Sequence, residues 1–388
     1  MTKNENAIAQ NRLLNLCFNS YGTLLKSLFF IILMVVLGHV SNAQSIQYQP
    51  NKPGKFSFDN RLVKYPGVDV PTLQKNLSAI VEWVRQNDEV INHPIGFDAL
   101  VAMTGIFGDT KIRQEDYGIR SFISFSFNHF YTENGVSCRA TGNTAHGTET
   151  RVNSPIYYIS TRFDESEFKT DDPPHLKLPL DKARENLRNY YTTAPIIREI
   201  APGVRLYASS PGTWFKGALL VFNPERPDIW VPVTVKEIME VKLAYYKVKH
   251  EIDSINYKKM VAEWAKMNFN PDPEHAMRPR MYQIIKKEFE NFTAEELSMS
   301  AYSCPTEECG ISTINARGEG RAVVRFNPAC WDRSLPVTFV QFMTLEYRPA
   351  TAQELEDFKE PNDGLEDYVG KFYSSLPVEK MGVLIDKK

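Results

Sequence analysis

A cysteine and a histidine in one polar stretch are the first residues that could do chemistry. Cys138 and His146 lie within residues 132–155, which are rich in Asn, Thr and Gly and predict a long loop or an irregular hairpin. Loops often carry functional residues, and an imidazole beside a thiol can activate it as a nucleophile. The local sequence does not bring these two side chains together. A secreted hydrolase with its active site in this region is therefore one of two functional hypotheses.

Two loops further along the chain share a sequence pattern. Phe222-Asn223-Pro224 followed by Pro232-Val233-Thr234 recurs as Phe326-Asn327-Pro328 followed by Pro336-Val337-Thr338. Asn can hydrogen-bond its own backbone and Pro lacks an N–H donor, so this pair of residues ends a strand in a turn. The repeated pattern predicts two strand–loop–strand units, and a duplication of the chain is one explanation for it.

Each of these loops carries one basic and one large aromatic side chain. Arg226 and Trp230 lie in the first loop, and Trp331 and Arg333 lie in the second. If the loops border a shared cleft, these four residues and His146 are the candidate ligand-binding residues, since ligand sites combine aromatic walls with a few polar groups. The alternative is turn chemistry that shapes two hairpins and binds no ligand.

Cysteine usage bears on disulfides and metal binding. Four cysteines follow the N-terminal segment: Cys138, Cys304, Cys309 and Cys330. Two disulfides, buried free thiols and a zinc site remain open, although zinc favours two close pairs and only Cys304 and Cys309 are close. The sequence contains no H-E-x-x-H, no G-x-S-x-G and no Walker loop. It therefore predicts no catalytic residue, no cofactor and no metal.

The N-terminus predicts export. Residues 1–26 carry three basic side chains against one acid, residues 28–37 are an unbroken apolar run, and residues 41–43 are Ser-Asn-Ala. Basic, apolar and small-residue regions in this order are typical of a secretory signal peptide. The apolar run is shorter than the roughly 20 residues that a membrane-spanning helix needs. We expect residues 1–43 to be removed, leaving a soluble periplasmic or extracellular protein without a membrane span.

The elements that must position these residues follow from periodicity. Residues 44–70 predict an extended lead, and residues 71–235 an N-terminal α+β lobe. Apolar residues at helical spacing predict a helix from Pro71 to Asn87, with its face formed by Leu73, Leu77, Ile80, Val81 and Val84. Alternating apolar residues predict a strand over 123–131, and a second short helix is expected near 180–191.

Residues 236–300 predict a helical segment between the lobes. Its apolar face continues through Met260, Trp264 and Met267, which favours a bent helix resting on a core. Thr293 and Glu296 have the spacing of a capping box and predict the start of a further helix. Residues 301–388 predict a C-terminal α+β lobe, with strands near 321–326 and 336–346.

Composition completes the prediction. The chain has 388 residues, of which 43% are hydrophobic and 24% charged, with a net charge of −2. That balance excludes a disordered chain, and it argues against a nucleic-acid partner, which would favour a surplus of Lys and Arg. We predict an α+β fold with antiparallel strands in two lobes. Without a catalytic motif, the leading functional hypothesis is a non-catalytic exported protein that binds a ligand or an envelope partner, or has a structural role in the envelope.

Overall fold

The computed structural model has an α+β fold built on two sheets. It describes residues 46–64, 67–105, 117–141, 146–154, 158–163, 169, 172–208, 217–267, 269, 281–303, 311–312, 320–358 and 365–387. The predicted signal peptide lies outside these residues. No helix in this part of the chain combines the length and the hydropathy that crossing a bilayer requires.

The described strands are β1 (Ile46–Tyr48), β2 (Phe56–Asn60), β3 (Phe97–Gly105), β4 (Ser121–Glu133), β5 (Val136–Arg139), β6 (His146–Val152), β7 (Ser160–Arg162), β8 (Tyr190–Thr193), β9 (Ile196–Ala201), β10 (Val204–Ala208), β11 (Gly217–Phe222), β12 (Trp230–Pro232), β13 (Tyr302–Ser303), β14 (Ile311–Ser312), β15 (Arg321–Phe326) and β16 (Phe342–Tyr347). The described helices are α1 (Val70–Asn87), α2 (Glu89–Asn92), α3 (Lys177–Leu187), α4 (Val235–Lys266), α5 (Met281–Asn291), α6 (Ala294–Ser298), α7 (Ala352–Asp357) and α8 (Tyr368–Ser375). Short 3-10 turns cover Pro174–Leu176, Pro328–Cys330 and Val378–Leu384.

The large sheet has ten described strands and carries the main core. Its order is β2-β3-β4-β6-β16-β11-β10-β9, and β1 and β5 pair with the far end of β4. Only the β2–β3 pair is parallel among these described pairings. The predicted strand over 123–131 is confirmed as part of β4, in which Ile123, Phe125 and Phe127 are buried. Their side chains share one face because successive strand residues point to opposite sides.

Helix α1 covers one face of the large sheet. All five residues of its predicted apolar face are buried, so the helix prediction is confirmed: Leu73, Leu77, Ile80, Val81 and Val84. The helix starts where Asp69 accepts a hydrogen bond from the backbone N–H of Thr72, and Pro71 lies in its first turn. A proline is favourable there because the first helical N–H groups have no partner within the helix.

The region over 132–155 forms strands, so the hairpin alternative is the correct one. Asn134 and Gly135 both have positive φ and form the two-residue turn between β4 and β5. Such turns favour Asn-Gly because both central residues need left-handed backbone angles. After residues 142–145, which lie outside the described part, β6 pairs with β4 and with β16.

Among the described residues, the small sheet has six strands in the order β14-β13-β15-β8-β7, with β12 also paired to β15. Each sheet draws strands from both predicted lobes: β16 lies between β6 and β11, and β15 lies beside β8 and β12. The segments 71–235 and 301–388 are thus interleaved. The short helix predicted near 180–191 ends at Leu187, because Tyr190–Thr193 pairs with β15 instead. Tyr and Thr both favour strands.

Helix α4 is confirmed within the predicted helical segment, as is the capping box, in which the side chains of Thr293 and Glu296 each bond the other's backbone. The expectation that the far end of α4 rests on a core is wrong. No residue of α4 after Ile252 is buried, and Met267, just beyond the helix, is 66% exposed.

Candidate functional site

The two loops with the shared pattern lie against each other. The backbone N–H of Asn327 donates to Ile229 O over 2.9 Å, and its side-chain Nδ2 donates to Asp228 O over 2.8 Å. Both asparagines form the predicted local turn: Asn223 Oδ1 accepts from the N–H of Glu225, and Asn327 Oδ1 accepts from that of Ala329. The local turn chemistry is therefore confirmed.

The two copies differ after their turns. Pro232 ends β12, and Thr234 caps α4 by accepting from the N–H of Glu237. In the second copy, residues 336–338 lie in turns and the next strand starts at Phe342, not near 336 as predicted. The shared sequence therefore produces the same Asn-Pro turn in both copies but not the same strand–loop–strand unit.

Arg226 is held by protein carboxylates. Its guanidinium lies 2.7 Å from Asp386 Oδ2 and 3.6 Å from Asp332 Oδ2, and it donates to Gln341 Oε1 over 2.5 Å. Only 13% of its side chain is exposed. Since two carboxylates already neutralise its charge, Arg226 joins the two loops to the C-terminal end of the chain and is not placed to hold an anionic ligand.

The aromatic candidates belong to a hydrophobic core. The ring of Trp331 is 5.0 Å from that of Phe342, and the ring of Trp230 is 5.1 Å from that of Tyr191. Both indole Nε1 atoms are buried without a hydrogen-bond partner. Arg333 is exposed and lies over the ring of Tyr117, at 5.3 Å. The structure thus brings the predicted loops together, but their tryptophans pack in a core.

His146 lies at the other end of the large sheet from these loops. Its ring is 5.6 Å from that of His129 and 6.1 Å from that of Phe358. Burial lowers the pKa of both histidines, to about 4 for His129, where the neighbouring His146 adds to the effect. The nearby carboxylate of Asp367 opposes this shift at His146, while Arg348 supports it.

The acidic groups near His146 are engaged elsewhere. Asp367 is bound by Arg348 over 2.6 Å and accepts from the N–H of Gly370 at the start of α8. Glu346 accepts from Thr148, which also bonds the Tyr373 hydroxyl, and burial raises the pKa of Glu346. Groups with shifted pKa values that lie close together are typical of catalytic sites.

The cysteine–histidine pair is too far apart for catalysis. Cys138 lies opposite Tyr131 on β4, whereas His146 lies opposite Phe127 on the same strand. Four residues of a strand separate the two positions by about 13 Å. A nucleophile and its base need to lie within hydrogen-bond reach. The structure therefore does not form the pair that the sequence suggested.

The described cysteines are free thiols. Cys138 is half-buried, Cys330 is buried, and neither is bonded to the other or to another described cysteine. Burial raises the pKa of Cys330 to about 12, against the opposing effect of Arg226. Cys304 and Cys309 lie outside the described residues. Within those residues, no three His, Cys, Asp or Glu side chains are grouped to hold a metal ion.

A small cavity lies between α1 and the C-terminal tail, residues 376–387. Its volume is about 110 Å³. Four apolar side chains and three polar ones line it: Ala79, Ile80, Val340, Leu384, Lys75, Asn76 and Lys387. Both lysines are exposed, and neither forms an ion pair within the described part of the chain. The cavity therefore combines apolar walls with two positive charges that no described carboxylate neutralises.

The first loop positions one wall of this cavity. Asp386 has a positive φ of 58°, and its backbone N–H donates to Val340 O over 2.9 Å. Its carboxylate also accepts from the Asn223 side chain over 2.9 Å and pairs with Arg226. These contacts hold a left-handed backbone that costs free energy in a residue other than glycine. They also place Lys387 beside the cavity.

The opposite wall of the cavity is formed by residues of α1. Asn76 donates from Nδ2 to Thr338 O over 3.0 Å, which ties α1 to the segment before β16. No sequence pattern indicated Lys75 or Lys387 as site residues. Lys75 is one exposed position on an amphipathic helix, and Lys387 is one of two consecutive lysines at the end of the chain. Only folding brings them to one cavity.

Comparison with known proteins identifies no relative. No family model matches the chain, and no curated protein or solved structure matches it.

Proposed function

We propose that this chain is an exported, non-catalytic binding protein whose cavity between α1 and the C-terminal tail binds a small anion with an apolar tail. The observation that carries the proposal is the pairing of an apolar interior with two lysines that have no acidic partner among the described residues. A short aliphatic carboxylate has an apolar chain that matches the cavity walls and a negative charge that matches the lysines. Its chain would leave water, at about 0.8 kcal/mol per methylene group, and its carboxylate would accept from the lysines.

The size of the cavity limits the ligand. An apolar cavity of about 150 Å³ binds benzene, which has six carbons, so the 110 Å³ available here suits an aliphatic tail of about four to five carbons. Longer chains would leave part of their apolar surface in water. Export is proposed from the sequence of residues 1–43 alone.

The alternative function is a secreted hydrolase that uses His146. The cluster of buried titratable groups around Thr148 and Glu346 supports it. Two findings weigh against it: Cys138 lies too far along β4, and Asp367 is already bound by Arg348 and by the start of α8. Binding therefore fits the geometry better than catalysis.

Calorimetric titration with hexanoate tests the proposal. We expect hexanoate to bind, and hexylammonium, which has the same chain and the opposite charge, not to bind. Lys75→Gln and Lys387→Gln should each weaken binding about tenfold or more, since a hydrogen bond to a charged group contributes about 1.5–3 kcal/mol. Lys380→Gln is the matched control, because Lys380 is exposed on the same tail but does not line the cavity.

The proposal fails if hexanoate and hexylammonium bind equally, or if the control variant weakens binding as much as the two cavity variants. Hydrolysis of short-chain esters by the unmodified protein that is lost in His146→Gln would support the hydrolase instead.

A further inference from the structure

The far end of α4 projects from the rest of the fold. Helix α5 begins beside His250, where the Tyr282 ring lies 5.6 Å from that of the histidine. From His250, α4 continues to Lys266, which is about 24 Å of helix. Asn256 makes a hydrogen bond to Asp172 over 2.7 Å, and no residue beyond Ile252 is buried. We call residues 257–267 together with Phe269 the arm.

The arm exposes large apolar side chains at its end. Val261, Met267 and Phe269 are 40%, 66% and 56% exposed. Trp264 is half-buried against Phe269, with ring centroids 6.0 Å apart. Scattered apolar residues on a surface are ordinary, but a grouped set on a projecting element indicates a contact surface.

The arm carries a surplus of positive charge. The arm contains Lys258, Lys259 and Lys266 and one acid, Glu263, which pairs with Lys266 over 2.6 Å. The remainder of the chain is acidic overall, since the net charge of the whole is −2 and that of the arm is positive. The arm therefore has the charge that an anionic surface attracts, and the body does not.

We propose that the arm docks on an anionic lipid surface. Exposed Phe and Met side chains, a half-buried Trp and nearby lysines are typical of helices that lie in a membrane interface, where aromatic rings enter the headgroup region and the ammonium groups meet lipid phosphates.

Co-sedimentation with vesicles tests this proposal on the exported chain. We expect binding to vesicles of phosphatidylglycerol and phosphatidylcholine that weakens strongly in pure phosphatidylcholine. Met267→Glu combined with Phe269→Glu should abolish binding. Leu178→Glu is the matched control, since Leu178 is 77% exposed on a helix of the body. Lys258→Gln should weaken binding about fivefold, as expected for one lysine near an anionic surface.

Tryptophan fluorescence gives a second readout. Vesicles should shift the emission of the unmodified protein to the blue, and Trp264→Phe should remove that shift while leaving the thermal midpoint unchanged. The proposal is overturned if the double variant with two glutamates binds as well as the Leu178→Glu control. It is equally overturned if the arm mediates a concentration-dependent dimer and no vesicle binding is seen.

Discussion

Acid should destabilise this fold through His129. The side chain is only 6% exposed, and its Nδ1 is buried without a hydrogen-bond partner. It faces the rings of Tyr48, Tyr131 and His146, at 5.1, 6.1 and 5.6 Å between centroids. None of these groups is an acid that could stabilise the charged imidazolium, and burial lowers the pKa of His129 to about 4.

The size of the effect follows from the two pKa values. The unfolded chain binds the proton near pH 6.5, whereas the folded chain resists it until about pH 4. The contribution to stability is therefore complete above pH 6.5 and is lost as the pH falls through the interval between these values. The free energy of unfolding should fall by about 2 kcal/mol at pH 5 and by about 3 kcal/mol at pH 4.

Urea denaturation at pH 7.5 and pH 5 measures this change. His129→Phe keeps an aromatic ring in the cluster and removes this titrating group, so it should reduce the difference in stability between the two pH values by about 2 kcal/mol. His93→Gln is the control, because His93 is exposed and should leave the difference unchanged. A His129→Phe variant with the full pH dependence of the unmodified protein would refute the reasoning.

Two further predictions concern the ion pair of Arg226 and the two described cysteines. Arg226→Gln should lower the free energy of unfolding by about 3 kcal/mol, because it leaves the largely buried carboxylate of Asp386 without its cation. Asp386→Asn should lower it less, since the amide oxygen can still accept a hydrogen bond from Arg226. Equal losses of the two variants in urea denaturation would contradict this. A thiol reagent at neutral pH should modify Cys138 in the native protein, but it should not modify Cys330, which is buried with a pKa raised to about 12. Peptide mapping that finds native Cys330 modified as fast as Cys138 would contradict this assignment.

Helix α1, the capping box of α6 and the Asn-Pro turns could be predicted from the sequence because each is a short-range effect. A helical face needs only the spacing of Leu73, Leu77 and Ile80, and a capping box needs only Thr293 and Glu296. The two asparagines, likewise, reach backbone groups only two residues away.

The cavity could not be predicted in this way. Lys75 and Lys387 lie more than three hundred positions apart, and the contacts that bring them together run through Arg226, Asp386 and the segment before β16. Nothing in the types of these residues distinguishes them from other exposed lysines. The same holds for the arm, where the apolar spacing of Met260 and Trp264 predicts an apolar face but not whether any partner covers it.

The sequence by itself determined several local elements, namely helix α1, the capped start of α6, the buried face of β4 and the two Asn-Pro turns. The tertiary structure alone decided that β16 lies between β6 and β11, that the two similar loops touch, and that His129 is buried without an acid. The physical reason is one of range. Backbone propensity and capping act over a few residues, whereas strand order and burial depend on the free energy of the whole chain, in which distant segments compete for the same core.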